Sequence, residues 1–138
     1  MKLIYDKALS FGTIASITAS AIFANTLNTG KKAGSADTYP GKEFTSTGRL
    51  TADVCFKSPA GGTDATITVE GSATGTGGWT AIGTGKFTLA DMQAGPCQVA
   101  ISPNRFQYLQ VKISAITGAF TAASPAAAEA FLNTNEGK

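Results

Sequence analysis

The chain has 138 residues, 43 % hydrophobic and only 14 % charged, with eleven Lys or Arg, nine Asp or Glu and a net charge of +2. That length suits one domain able to hide roughly 68 % of its unfolded surface, and a charge content well under the ~25 % usual for soluble domains marks a surface suited to contact with other proteins. There is no histidine, which excludes Ser-His-Asp and Cys-His catalysis and His-ligated metal sites. The scattered basic residues form no aromatic-interleaved stripe, which argues against direct nucleic-acid binding.

Met1 to about Gly12 reads as an arm whose Leu3, Ile4, Tyr5, Leu9 and Phe11 are too apolar for a solvated tail. Lys2 and Lys7 precede an uncharged run over residues 8–28 that contains Ala19-Ser20-Ala21, the outline of a signal peptide. Ser16, Thr18 and Ser20 alternate there with Ile17, Ala19, Ala21 and Phe23, however, which favours a half-buried first strand near Ser16–Ala24. No apolar run approaches the ~18 residues of a membrane-spanning helix, and no membrane partner is expected. Thr29 to Ser35 is a small, polar, glycine-punctuated connection, and Pro40-Gly41 is a turn.

Gly48–Lys57 is the clearest strand, with Leu50, Ala52, Val54 and Phe56 on one face and Thr51 and Asp53 on the other. A loop at Ser58–Gly62 follows, then a strand at Ala65–Gly71 with Ile67 and Val69 inward and Thr66, Thr68 and Glu70 outward. A Gly75–Gly78 tip leads to strands at Trp79–Ile82 and Gly85–Leu89, and Ala90–Gln93 is one helical turn. Cys97–Ile101 and Phe106–Ile116 are the next strands, and Phe120 opens a last segment. In Ala126–Leu132 the alanine content favours helix, but the position at the end of a meander favours a closing strand, which is the reading adopted. About eight strands at this spacing specify an all-β, single-domain antiparallel β-sandwich, jelly-roll-like, with an N-terminal arm. Its divisions are 1–40 for the arm and first strand, 41–132 for the sandwich and 133–138 for a polar tail. The expected core is Leu50, Val54, Phe56, Ile67, Val69, Phe87, Leu89, Val99, Ile101, Leu109, Val111 and Ile113, with near-neutral substitution at the opposite-parity Thr68 and Lys112.

The chemistry-bearing motifs are mostly negative. The carboxylates are dispersed, and Asp53 and Glu70 fall on outward faces where a solvated charge is expected. Gly83-Thr84-Gly85-Lys86 resembles the end of a phosphate-binding loop but is followed by Phe87 rather than Ser or Thr, and Thr80 stands where the first glycine is required. Cys55 takes the polar parity of its strand and Cys97 the apolar parity, which argues against a bridge and for thiols in a reducing compartment. Trp79, the single tryptophan, reads as a core cover first and an interface anchor second. No enzyme activity, cofactor or metal is expected.

Three stretches carry a family likeness. Tyr5-Asp6-Lys7 with Ala15 to Ala21, Ala65 to Ser72 with the glycine-rich tip and Gly78-Trp79-Thr80-Ala81-Ile82, and Leu89 to Gly95 with Arg105 to Val111 and Thr117 to Ala122 together resemble the small jelly-roll cement or decoration proteins of tailed-phage capsids. The Thr29–Pro40 connection and the two cysteines depart from that pattern. The resemblance implies a non-enzymatic virion structural protein, made in the host cytoplasm and bound to the capsid surface, with the major capsid protein and copies of itself (a homodimer or homotrimer) as partners. The arm residues Leu3, Ile4, Tyr5, Leu9 and Phe11, together with Trp79, are the expected interface. The competing reading is a secreted or surface β-sandwich module that binds carbohydrate or acts as an adhesive domain. That reading predicts a Cys55–Cys97 bridge, worth roughly 4 kcal/mol by loop entropy.

Overall fold

A computed structural model describes residues 10–28, 50–102, 106–121 and 127–133. In chain order these form β1 (Ser10–Ile14), β2 (Ala21–Ile22), β3 (Leu27–Asn28), β4 (Thr51–Phe56), β5 (Ala60–Ser72), β6 (Thr80–Thr88), α1 (Leu89–Ala94), β7 (Cys97–Ala100), β8 (Tyr108–Thr121) and β9 (Ala128–Asn133). The first sheet has the order β1-β9-β4-β7; the second runs β2-β8-β5-β6, with β3 also paired to β8. Every pairing is antiparallel. Because β2 and β3 are two short pieces laid along β8, the described residues fill eight strand positions. The chain passes repeatedly from one sheet to the other, which gives a β-sandwich of jelly-roll type.

Alternation builds the core. Rows of directly opposed residues share a face, and the inward rows of the first sheet are Ala52–Leu132 with Val99, and Val54–Ala130 with Cys97. The second sheet answers with Ala65, Ile67 and Val69 from β5 and Leu109, Val111 and Ile113 from β8, all buried. Met92 of α1 closes the cluster. Thr88 caps that helix: its Oγ1 accepts from Asp91 N at 3.2 Å while Asp91 Oδ2 accepts from Thr88 N at 2.9 Å, a reciprocal capping box. Of the expected core, Phe56 and Phe87 are only partly buried against the cluster, and Leu89 is half-buried where the helix begins.

The N-terminal expectations need correction. The first strand is Ser10–Ile14, not Ser16–Ala24, and Phe11 is a fully buried core residue at 0 % exposure rather than part of an exposed arm. The alternating stretch is instead broken by Ser20, at φ 68°, and its Ile17 and Phe23 reach the core from either side of that turn. The physical reason is that β1 and β2 belong to different sheets, so the chain must turn between them. Ser20 N donates to Ile113 O at 2.9 Å and Phe23 N to Val111 O at 2.9 Å, which fastens the crossing to β8.

Glycines account for the other differences. Residues 60–62, expected as loop, extend β5, and the two strands expected at Trp79–Ile82 and Gly85–Leu89 form one continuous strand, β6, which leaves Trp79 in the connection before it and Leu89 at the start of α1. A Cβ on Gly62 would lie 2.3 Å from the Phe120 ring, and one on Gly83 would lie 2.3 Å from Ala100 O. Bare backbone here admits a close neighbour instead of marking a turn. Phe120 accordingly belongs to the end of β8, which runs five residues past the expected Ile116. The closing strand at β9 is as expected.

Both lateral seams of the sandwich are bonded. On one side Asn25 N donates to Phe11 O at 2.7 Å and Ala24 N to Thr13 O at 3.3 Å; on the other Ser102 N donates to Ile82 O at 2.8 Å, joining the chain after β7 to β6.

Candidate interaction surface

The β5–β6 connection, residues 73–79, projects from one end of the sandwich. Ser72, at 0 % exposure, organises it: its Oγ accepts from Thr74 N at 3.2 Å and Gly75 N at 3.0 Å and donates to Gly77 O. Gly75 (φ 79°) and Gly78 (φ 66°) occupy the left-handed region where glycine is favoured. Gly75 rests on the Tyr108 ring, and no atom lies within 4 Å of where a Cβ would sit on Gly77 or Gly78. Trp79 is half-buried at the base of this tip and lies outside the buried core, so its rank as core cover first is not what the fold adopts. Asn28, Tyr108 and Ser72 stand in one row beside the tip, and Gln107 Nε2 donates to Asn28 Oδ1 at 3.2 Å and to Tyr108 Oη at 3.3 Å. The tip is thus an uncharged, internally hydrogen-bonded projection with an aromatic base.

The outward face of the second sheet is not the loosely solvated surface expected of it. Glu70 is 9 % exposed; Gln110 Nε2 donates to its Oε1 at 2.8 Å, and Lys112 Nζ pairs with its Oε2 at 3.0 Å. Thr68 and Ser114 hydroxyls are 2.9 Å apart, with Thr84 at 3.4 Å from Thr68. These side chains screen one another because β5 lies between β8 and β6. Glu70→Ala should therefore cost about 1–3 kcal/mol by leaving Gln110 and Lys112 without their acceptor. Urea denaturation at neutral pH measures it, and a loss below ~0.5 kcal/mol would restore the view of a solvated charge.

On the outward face of the first sheet Asp53 is 0 % exposed, again against expectation. Thr51 Oγ1 donates to its Oδ1 at 2.8 Å, and Asn133 Nδ2 and Gln98 Nε2 donate to its Oδ2 at 2.8 and 3.3 Å. The local sequence supplies only Thr51 of these three donors; the other two come from strands 45 and 80 residues away.

Catalytic and metal geometry is thin. Among the described residues no three His, Cys, Asp or Glu side chains cluster to hold a metal ion, and no helix is long and apolar enough to cross a membrane. A shallow depression of about 500 Å³ is lined by Lys86, Phe87, Asp91, Ala94, Gly95, Pro96 and Cys97, and one of about 460 Å³ lies over the β6–β7 seam. Cys97 pairs in register with Val54, so Cys55, the next residue, faces the other way, and the two thiols are not bridged. Burial first, and then the nearby Asp91 and Cys55, push the Cys97 thiol up to about 12 from 9.0, which suppresses its nucleophilic thiolate. Because the folded protein holds this proton more tightly than the unfolded chain, the contribution is present below pH 9 and lost as pH rises towards 12. Stability should fall more steeply above pH 9 in the native sequence than in Cys97→Ala, as read from urea midpoints; parallel slopes would refute the assignment.

The sequence-derived interface is therefore divided. Phe11 is withdrawn, because it is sealed in the core; Trp79 stands at the projecting tip; Leu3, Ile4, Tyr5 and Leu9 lie outside the described residues. Comparison with models of known protein families gives no match, and no curated protein matches the sequence.

Proposed function

We propose that this protein is a non-enzymatic virion structural component that binds the outside of an assembled phage capsid and cements neighbouring major capsid protein subunits, acting as a homodimer or homotrimer. The observation that carries the reading is the pre-organised tip on a jelly-roll sandwich: an uncharged loop already held by Ser72, with Trp79 at its base. A loop fixed before binding loses little conformational entropy on docking, and tryptophan is among the side chains that dominate interface energies. A module that binds only the assembled shell stabilises that state by mass action. The secreted-module alternative fits less well, since its expected Cys55–Cys97 bridge would have to join opposite faces of paired strands.

Sedimentation with assembled particles tests the proposal. The protein should pellet with shells at a fixed copy number, and Trp79→Ala should weaken occupancy by at least about 30-fold, the equivalent of ~2 kcal/mol. Protein left in the supernatant with intact shells would overturn it. An intact native mass that revealed both cleavage and a disulfide would favour the secreted module.

A further inference from the structure

Eleven glycines lie among the described residues, and the fold accounts for ten of them. Six occupy positive φ, where a side chain is strained, and at four others an added Cβ would stand 3.0 Å or less from a neighbouring atom. Gly77 alone is neither: it is not at positive φ, and no atom lies within 4 Å of where its Cβ would sit. Such a glycine lowers stability without relieving any strain, since alanine in its place would narrow the unfolded ensemble. The remaining use of a missing side chain is close approach by something outside the chain.

Gly77 is placed for that approach. Its carbonyl accepts from the fully buried Ser72 Oγ, and Thr74 Oγ1 donates to the same oxygen at 3.4 Å, so its position is fixed before any contact. Gly78, the next residue, is exposed, and the half-buried Trp79 follows. Residues 71–85 carry no charged side chain. Glu70, the charge just before this run, is already engaged by Gln110 and Lys112. A charged group covered by the tip would lose its water and find no counter-charge, which is costly.

Building on the capsid-binding reading above, we infer that Gly77 is the point of closest approach between this protein and the assembled shell. Its bare backbone lies against an uncharged part of the shell surface, too close to admit a side chain at position 77, and the Trp79 ring is buried beside it. No ion pair crosses the contact, so attachment is insensitive to salt. The glycine that the fold does not need is thereby assigned to the partner.

Co-sedimentation of the full chain with assembled shells that lack it tests this. Native protein, Gly77→Ala and Gly77→Leu are compared at about 0.05 M and about 0.5 M NaCl, a span over which exposed charges become strongly screened. The native protein should pellet equally at both salts. Gly77→Ala should bind about 5-fold and Gly77→Leu at least about 30-fold more weakly, as overpacking a close contact requires. Thermal melts should show both variants at least as stable as the native protein, because the fold leaves their side chains open space. Native-like occupancy by Gly77→Leu would overturn the inference and leave the capsid reading standing, as would native occupancy that fell steeply at the higher salt. A Gly77→Ala protein that melted well below the native one would show that the fold itself needs the glycine, and would overturn the inference too. Native protein left in the supernatant at both salts would refute the capsid reading, and this inference with it.

Discussion

Removing residues 1–11 should abolish cooperative unfolding, whereas removing residues 1–9 should leave a folded sandwich. The difference is two residues, and Phe11 carries most of it. Its ring is 0 % exposed within the core cluster, and its carbonyl accepts the Asn25 amide at 2.7 Å across one lateral seam. Phe11→Ala alone should cost about 3–5 kcal/mol through lost transfer energy plus an unfilled cavity. Set against the ~5–15 kcal/mol that holds a typical domain together, that is about a fifth of the total or more. The longer truncation also deletes Ser10, the partner of Phe131 in the β1–β9 register. Urea denaturation followed by tryptophan fluorescence and circular dichroism compares the three proteins. A residue 1–11 deletion that unfolds at the full-length midpoint would show that β1 is dispensable.

Gly83→Val should be the most damaging single change in β6. Its Cβ would arrive 2.3 Å from Ala100 O, a backbone atom that no rotamer change can move aside. Relief requires β6 to separate from β7, which strains the Ser102 N to Ile82 O bond at 2.8 Å. Overpacking typically costs ~1–3 kcal/mol, and loss of a backbone hydrogen bond adds about 1 kcal/mol. Gly77→Ala is the control, because nothing lies within 4 Å of its added methyl. It should be neutral or stabilise by up to ~1 kcal/mol by narrowing the unfolded ensemble. Thermal melts of both variants decide the matter; equal shifts in Tm would mean that the β6–β7 seam is loose.

The parts of this fold that were legible are those with an unbroken two-residue period. Ile67 and Val69, and Leu109, Val111 and Ile113, declare their faces because each lies in a strand centre flanked on both sides. β1 does not, since Gly12 at φ 85° sits in a register shift that disrupts its alternation. Ser16 to Ala24 misled in the opposite way, for its alternation is real but spans a passage between sheets. Gly83, left between two expected strands, reads as a break, although a glycine can equally mark close approach, and only the position of Ala100 tells the two apart. Of the candidate surface, Trp79 and the tip were visible as composition. The buried Asp53 was not, because two of its partners, Gln98 and Asn133, are distant in sequence.

The bonded seams have a consequence for how copies of this protein tolerate one another. A strand with unsatisfied edge amides pairs with nearly any other exposed strand, which is the route to fibres. Here Phe11, Thr13 and Ile82 already have their carbonyls engaged within the molecule. At these positions main-chain pairing with another copy is closed off, and contact there falls to side-chain surfaces, whose fit is specific and can be tuned by substitution. Each such bond removes one site at which crowded copies could join edge to edge.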